Sequence, residues 1–296
     1  SNLDLNADVI VVGGGPAGSA AATMLARKGW QVTVLEREQF PRDHVGESLL
    51  PASIPVLEEL GALPAVESAG FLPKYGATMV WGSGDAPWSW YFKETSQRYA
   101  HSYQVWRPQF DQILLDNAKA QGVSVLEGHH VTEVIFDGGE AVGVEFTNTD
   151  GDTGEGQARF IVDASGQSTL LARHLESKEW DPFFQNLSVY AYFTGAKPLP
   201  EPDQNNIFIE SYRYGWLWTI PLHTGRSSVG VVMTPDARLR SSRSSRRPST
   251  LTSETARTGR TSQRPAASSG DSLSSRLSSG AISRVFATSL ASWRAV

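Results

Sequence analysis

Near the N-terminus, a glycine pattern and a later acidic residue could bind a ligand that contains phosphate. Gly13, Gly15 and Gly18 form the pattern G-x-G-x-x-G. The first glycine permits a tight turn, the second lets backbone amides approach a pyrophosphate, and the third lets a helix pack close to the preceding strand. Glu36 ends the next apolar run and could accept hydrogen bonds from ribose hydroxyls. This spacing predicts a site for an adenine dinucleotide.

The elements around these glycines are those that such a site requires. Residues 9–12 are a continuous apolar run, which predicts a strand buried on both faces. Small residues then predict a helix that ends at Gly29, and residues 31–36 predict the next strand. Because strand, glycines, helix, strand and acid follow in this order, dinucleotide binding is favoured over a glycine-rich turn without a ligand.

A second group lies in "YGWLWTIPL", where Trp216 and Trp218 are two residues apart and precede Ile220 and Pro221. The alternation predicts a strand with both rings on one face. Taken alone, such a pair fills the core of a sheet. Lys74, in "GFLPKYGATMVWG", would likewise be a solvated surface lysine if it were taken alone.

Further polar residues lie at the ends of predicted elements. Arg42 and the pair Glu47-Ser48 follow the second strand, Arg107 begins a predicted helix, and "ARFIVDASG" predicts a strand that closes on residues 163–166. This order of elements resembles the flavoprotein monooxygenase superfamily, whose fold the aromatic hydroxylases share. The resemblance implies that Arg107 reaches toward the flavin and that the loop after the strand lies against the cofactor. Spacing alone gives only a helix-capping or surface arginine and a turn.

The tryptophan strand sharpens the resemblance. Residues 216–221 match W-x-W-x-I-P, a signature of the flavin-dependent halogenases, and Lys74 falls where those enzymes carry their essential lysine. The resemblance extends from about Ala7 to Met233. The segments "VGESLLP" and "FFQNLSVYAYF" are similar to the subgroup that acts on phenols or on aromatic acyl groups tethered to carrier proteins.

This resemblance implies a particular chemistry. Reduced FAD, delivered by a separate flavin reductase, would react with O2 and with chloride or bromide to give hypohalous acid. Lys74 would hold the oxidant by a hydrogen bond or as a haloamine, and an electron-rich aromatic of secondary metabolism, such as antibiotic biosynthesis, would be halogenated. Trp216, Trp218, Ile220 and Pro221 would separate the substrate from the flavin. The alternatives are a flavin hydroxylase or FAD-dependent reductase of the same fold, and an inactive, truncated flavin-binding fragment.

The glycine pattern and the resemblance together predict the residues that bind the cofactor. They are Gly13, Gly15, Pro16, Ala17, Gly18, Glu36, Arg37, Arg42, Glu47, Ser48, Arg107, Asp163 and Gly166.

Composition narrows the function further. The net charge of −5 argues against a nucleic-acid-binding protein. The absence of cysteine excludes disulfides and permits a reducing cytoplasm, where we expect the protein. No apolar run reaches ~18 residues, the N-terminal apolar run lacks a basic leader, and no metal-ligand spacing is present, so we expect no membrane span, signal peptide or metal. His129 and His130 are expected to lie in a turn or at the surface.

The predicted architecture is α/β. A Rossmann-like FAD-binding domain of parallel strands and helices is expected over residues 7–70 and 101–172. An antiparallel β-sheet domain on the substrate side is expected over residues 71–100 and 173–236. No second G-x-G-x-x-G for NADPH is present, which agrees with an external source of reduced flavin.

The last part of the chain departs from the resemblance. Residues 237–296 are rich in serine and arginine and offer little to bury, which predicts disorder. Halogenases carry a second flavin motif, G-D-A, in this region, and Gly270-Asp271-Ser272 matches it poorly. A reading-frame slip in a GC-rich gene would make this part a frame-displaced remnant of that motif, and a natural low-complexity tail is the alternative.

Overall fold

A computed structural model of the chain describes residues 3–82, 84, 86–96 and 98–234. The serine- and arginine-rich part, on which the predictions of disorder and of a frame-displaced remnant fall, lies outside these residues. The strands are β1 (Leu5–Val12), β2 (Val32–Glu36), β3 (Leu72–Lys74), β4 (Gly76–Val80), β5 (Trp88–Tyr91), β6 (Ser102–Gln104), β7 (Ser124–Glu127), β8 (His129–Asp137), β9 (Glu140–Asn148), β10 (Thr153–Asp163), β11 (Leu187–Thr194), β12 (Ile207–Tyr212), β13 (Gly215–Pro221) and β14 (Arg226–Met233). The helices are α1 (Pro16–Arg27), α2 (Ser53–Leu60), α3 (Leu63–Ser68), α4 (Arg107–Ala120) and α5 (Leu170–His174).

The first sheet has the strand order β7-β2-β1-β10-β9-β8. Its strands β7, β2, β1 and β10 are parallel, whereas β9 and β8 extend it as an antiparallel hairpin pair. The hairpin turns at Gly138 and Gly139, whose φ values of 59° and 88° suit a two-residue turn of the primed type. Because parallel strands end at the same edge, the residues that follow β1, β2 and β10 meet there.

Both faces of this sheet are covered. In β1, Val9 and Val11 belong to the core on the side of α1, while Ile10 and Val12 belong to the core on the other side. Strand β1 is therefore buried on both faces, as the apolar run predicts. The parallel sheet with helices, together with a separate β-sheet, confirms the predicted α/β fold class.

The second sheet has the strand order β11-β14-β13-β12-β4-β5. It is antiparallel except for the pair of β12 and β4, where Ile207 lies opposite Ala77 in a parallel register. These two strands are far apart in the chain, so a long crossover joins them and a hairpin does not. The sequence prediction of an antiparallel sheet missed this pair because nothing local specifies it.

A two-stranded sheet of β3 and β6 brings Lys74 opposite Ser102. This pairing crosses the domain boundary expected at residue 100, because β3 belongs to one predicted domain and β6 to the other. The division into two domains stays a prediction. Within the described residues, no helix is both long enough and apolar enough to span a membrane.

Candidate functional site

The glycine turn packs too closely for any other residue. Gly13 has a φ of +102°, and a Cβ on it would lie 2.6 Å from the carbonyl oxygen of Ala164. A Cβ on Gly18 would lie 1.8 Å from the carbonyl oxygen of Gly13. Helix α1 begins at Pro16, and no side chain caps its N-terminus. The first amides of the helix are therefore directed at the edge of the sheet, where they can bind an anion.

Glu36, at the end of β2, is 5% exposed and is fixed by two backbone amides. Its Oε2 accepts a hydrogen bond from the amide of Gly14 at 2.6 Å, and its Oε1 accepts one from the amide of Glu38 at 2.8 Å. Each carboxylate oxygen keeps a second lone pair, so the side chain can also accept hydrogen bonds from the hydroxyls of a ribose. The carboxylate is thus oriented before any ligand binds.

Two arginines share one buried carboxylate beside this turn. Arg107 donates to Asp111 from Nε at 2.7 Å and from Nη2 at 2.9 Å, and its Nη1 donates to the carbonyl oxygen of Val45 at 2.5 Å. Arg42 places Nη1 3.2 Å from Asp111 and Nε 3.1 Å from Glu38. Asp111 has no exposed surface. Arg107 is therefore held in an ion pair on α4 and does not merely cap the helix.

A cleft of about 300 Å³ lies at the carboxyl ends of β1, β2 and β10. The predicted cofactor residues that line it are Gly13, Gly15, Pro16, Ala17, Glu36, Arg37, Arg42, Arg107 and Gly166. Its walls combine the glycine turn, a fixed carboxylate and guanidinium groups, which suits a dinucleotide with a pyrophosphate.

Four predicted cofactor residues are not among those that line the cleft, namely Gly18, Glu47, Ser48 and Asp163. Gly18 lies under the turn, as its predicted packing role requires. Asp163 accepts hydrogen bonds from the amide and hydroxyl of Ser165 and from the amide of Leu171, so it holds the loop after β10. Burial alone would raise the pKa of Asp163, but these hydrogen bonds lower it overall.

Residues that the sequence reasoning did not assign also line the cleft. His129 and His130, expected in a turn or at the surface, follow β7 and contribute to its wall, as does Arg173. Strand β7 is parallel to β2, so its carboxyl end brings the two histidines to the same edge of the sheet as the ends of β1 and β2. The place of β7 in the sheet could not be read from the local sequence.

Lys74 lies away from this cleft, at the end of β3, and is only 3% exposed. Its Nζ donates to the carbonyl oxygen of Leu49 at 3.0 Å and lies 5.1 Å from the centre of the Phe92 ring. Burial lowers the pKa of Lys74 to about 8, because the charged form loses hydration. The amine can therefore exist in both protonation states near neutral pH, unlike a surface lysine.

A short segment, residues 45–49, joins the cleft to the surroundings of Lys74. Arg107, which lines the cleft, donates to Val45, and Lys74 donates to Leu49. The four residue steps between Val45 and Leu49 span at most about 13 Å of extended chain. Within this segment Glu47 is fully buried; its Oε1 accepts from the hydroxyl of Tyr192 at 3.2 Å. Glu47 thus ties the segment to the second sheet.

The two indoles lie on one face of β13, as predicted. The ring centres of Trp216 and Trp218 are 5.8 Å apart with an interplanar angle of 48°. Trp218 is 5% exposed, donates from Nε1 to Ser228 at 3.2 Å, and covers Gly230, where a Cβ would meet its ring at 2.2 Å. The position opposite the indole therefore requires glycine.

The indoles belong to a cluster that reaches the segments beside the cleft. Trp218 and Ile220 are buried in it, and Trp216, Val45 and Trp106 are partly buried against it. Trp106 immediately precedes Arg107, so the cluster packs between the second sheet and the residues that carry the guanidinium. Over residues 3–234, apart from the three positions not described, no group of three or more carboxylates or imidazoles is arranged to bind a metal.

Comparisons with known proteins agree with this arrangement. The model of the FAD binding domain family matches residues 6–269. A tryptophan 2-halogenase of Chondromyces crocatus is 42% identical over 234 residues, which are 78% of this chain and 44% of the relative. A chlorinase of Pseudomonas fluorescens that acts on a pyrrole-2-carbonyl group on a peptidyl-carrier protein is 35% identical over 256 residues, 77% of this chain and 56% of the relative.

The solved structure of the myxobacterial chondrochloren halogenase CndH superposes with a TM-score of 0.76 at 42% identity, covering 80% of this chain and 55% of that one. The chain spans about half the length of the curated relatives it matches. The resemblance to flavin-dependent halogenases is confirmed. Since the family model matches most of the chain, this protein belongs to the FAD binding domain family, and its relatives there are flavin-dependent halogenases.

Proposed function

We propose that this chain carries the FAD-binding and oxidant-handling part of a flavin-dependent halogenase. The enzyme would use FADH2, O2 and chloride or bromide to halogenate an electron-rich aromatic, phenolic or carrier-tethered, in secondary metabolism. One observation carries the proposal: the amine of Lys74 is 3% exposed and has a pKa lowered to about 8, in a chain whose relatives are halogenases. A surface lysine would have neither property.

The cleft residues fit FAD. Gly13, Gly15 and the N-terminus of α1 would hold the pyrophosphate, and Glu36 would bind the hydroxyls of the ribose. Arg107 would lie toward the flavin, as the family resemblance implies. The close approach of Gly13 to Ala164 supports this assignment, because any side chain there would block the turn. The reduced cofactor bound there would supply two of the four electrons that O2 accepts, and the halide would supply the other two, which gives hypohalous acid and water.

Lys74 would receive the oxidant. As an ammonium it donates hydrogen bonds, and as a neutral amine it offers a lone pair, and burial brings both forms within reach of neutral pH. Its burial also excludes bulk water, which would carry the oxidant away.

The indole strand would keep the aromatic substrate away from the flavin. Trp216, Trp218, Ile220 and Pro221 lie on β13, and the cluster around them packs against Val45 and Trp106 beside the cleft. In a hydroxylase of this fold the substrate would instead meet the flavin directly. Indoles packed in this position would therefore favour halogenation over hydroxylation.

The flavin reductase, the carrier-tethered substrate and the cellular location are supported by the sequence and by the relatives. A separate flavin reductase would supply FADH2, in agreement with the single G-x-G-x-x-G of the sequence. The name of the pyrrole chlorinase supports a carrier-tethered substrate as one option. We place the reaction in the cytoplasm, where a flavin reductase finds its reduced nicotinamide and where a chain without cysteine meets no redox constraint.

The test uses the purified full chain with FAD, a flavin reductase and a panel of phenols and carrier-tethered pyrroles. Halogenation predicts product masses that shift when bromide replaces chloride. Hydroxylated products that do not depend on halide would support the hydroxylase alternative. A chain that binds no FAD, judged by visible flavin absorbance after gel filtration, would support the fragment alternative and contradict the proposal.

A further inference from the structure

Four polar residues lie on one face of the small sheet that contains Lys74. Lys74 is opposite Ser102 on β6, and Gln104 is two residues further along β6 on the same face. Ser48 pairs with Gln104 through an isolated antiparallel bridge. The segment that contains Ser48 therefore lies beside β6 as a third, very short strand-like segment of this sheet. We call Lys74, Ser102, Gln104 and Ser48 the polar row.

The Ser48–Gln104 pair is a close one. The flanking hydrogen bonds run from the amide of Leu49 to the carbonyl of Tyr103 at 3.0 Å and from the amide of Val105 to the carbonyl of Glu47 at 2.7 Å. The pair itself is therefore of the type without mutual backbone hydrogen bonds, in which side chains approach most closely, with Cβ atoms about 4.5–5.5 Å apart.

Two polar atoms of the row are buried without a hydrogen-bond partner among the described residues. They are the hydroxyl oxygen of Ser48 and the Oε1 of Gln104. Gln104 is fully buried, and its Nε2 donates to the carbonyl oxygen of Asn205 at 2.9 Å. That contact fixes the orientation of the amide, so Oε1 must point the other way. A buried acceptor left unsatisfied costs about 1–3 kcal/mol, which argues for a bound molecule.

The amine of Lys74 brings N–H donors next to Ser48. Its side chain crosses β6, because its Nζ reaches the carbonyl oxygen of Leu49, the residue next to Ser48. An ammonium carries three N–H donors, and the bond to Leu49 uses one. The row therefore presents an amine that donates, a hydroxyl that can donate or accept, and an amide oxygen that only accepts.

We propose that Gln104 and Ser48 are positioning residues that, with Lys74, hold one neutral molecule of hypohalous acid. Its O–H donates to Oε1 of Gln104, and its oxygen accepts from the Nζ of Lys74 and the hydroxyl of Ser48. A halide anion has no proton for Oε1, so the site favours the acid over the halide. This inference rests on the proposed function. It moves Ser48 from the predicted cofactor group to the handling of the oxidant.

The first experiment is a crystal structure of the wild-type full chain at a resolution that shows ordered water. Water is the resting substitute for the acid, since it has the same O–H donor and oxygen acceptor. We expect one water within hydrogen-bonding distance of both Ser48 Oγ and Gln104 Oε1. Finding both atoms bonded to other protein groups would overturn the inference. This readout does not depend on catalysis, so it stands even if the wild-type chain halogenates nothing and the proposed function fails.

The second experiment measures halogenated product per FADH2 oxidised in Ser48→Ala, Ser48→Thr and Gln104→Met. We expect the ratio to fall about tenfold in Ser48→Ala and Gln104→Met and to recover in Ser48→Thr, which keeps the hydroxyl. FADH2 oxidation and FAD affinity should not change. Thr78→Val is the control, because Thr78 is a buried residue with a hydroxyl, hydrogen-bonded to Ser89, that lies in the second sheet.

Two results would contradict the inference. Weaker FAD binding in Ser48→Ala would indicate that Ser48 helps to bind the cofactor, as the sequence predicts. An unchanged product ratio in both Ser48→Ala and Gln104→Met would show that the row does not hold the oxidant. If Gln104→Met does not fold, the comparison of product per FADH2 oxidised between Ser48→Ala and Ser48→Thr tests the inference alone.

Discussion

The FAD cleft and the polar row differ in how far their polar groups are satisfied. In the cleft, Glu36 is bonded to two amides and Arg107 to Asp111, while Arg42 forms an ion pair with the same carboxylate although its Nη1 makes no well-directed hydrogen bond. In the polar row, a lysine is buried and two polar atoms have no partner among the described residues. A large charged ligand is best met by groups that are already oriented, whereas a small transient molecule needs groups that are still free to bond. This difference supports the proposed division between a region that binds the cofactor and a region that handles the hypohalous acid.

The largest effect that separates the two regions should be the dependence of stability on the charge of Lys74. Its pKa falls from 10.5 to about 8 on folding, so between these pH values the unfolded chain binds more protons and stability rises with pH. We expect the unfolding free energy of the wild type, relative to Lys74→Met, to rise by about 3 kcal/mol over this window.

Urea unfolding of both proteins at several pH values measures this difference. Comparing the two cancels the tyrosines that titrate in the same range. At pH 7 Lys74→Met should be the more stable protein, because it buries no charge. A wild type that is more stable than Lys74→Met at pH 7 would mean that the ammonium is not desolvated.

Gly18→Ala should act on the cleft alone. Its Cβ would meet the carbonyl of Gly13 at 1.8 Å, so α1 must move away from β1. We expect FAD affinity to fall by about thirtyfold or more, equivalent to about 2 kcal/mol of strain. Fluorescence titration with FAD measures it. Gly84→Ala is the control, because Gly84 has open space around its Cβ position, and an equal loss there would remove the argument.

In the proposed halogenase, shrinking the indoles should change the identity of the product more than the affinity for FAD. In the double variant Trp216→Ala/Trp218→Ala we expect the ratio of halogenated product to hydroxylated product plus peroxide to fall about tenfold, because the cluster beside Val45 and Trp106 is lost. Product mass and peroxide release measure the ratio. An unchanged ratio would contradict the separating role of β13.

The smallest effect should come from the hydrogen bond between Tyr192 and Glu47, which ties the segment between the cleft and the polar row to the second sheet. Tyr192→Phe removes the hydrogen bond to Glu47, and we expect a loss of about 1 kcal/mol in stability with unchanged FAD affinity. Burial first, and then the carboxylate of Glu47, raise the pKa of Tyr192. Tyr190→Phe is the matched control on the same strand, and equal losses in the two variants would remove the special role of Tyr192.

The sequence predicted the cleft better than the polar row, for a physical reason. The glycine turn and Glu36 depend on neighbours close in the chain, so their spacing is enough to identify them. The directions of the side chains of Glu47, Ser48 and Asp163 depend on contacts with β6, β10 and the second sheet. No local pattern in the sequence shows those directions. Their predicted places in the cofactor site are therefore still predictions, and none of the three lines the cleft.

Lys74 was found only through the resemblance. Its own segment gives a strand of three residues, and its burial arises from Leu49 and Phe92, which approach from other parts of the fold. Gln104 carried no sequence signal at all, because its importance depends on the bridge to Ser48 and the contact with Asn205. Long-range pairing of this kind, like the parallel pair of β12 and β4, is set by the whole chain.

We propose that the oxidant reaches the organic substrate by way of the amine of Lys74. The most direct test is the amount of halogenated product per FADH2 oxidised in Lys74→Met, with the exposed neighbour Lys93→Met as control. We predict a loss of about 10²- to 10⁴-fold in Lys74→Met, with unchanged flavin oxidation and no loss in Lys93→Met. Wild-type product yield from Lys74→Met would contradict the account.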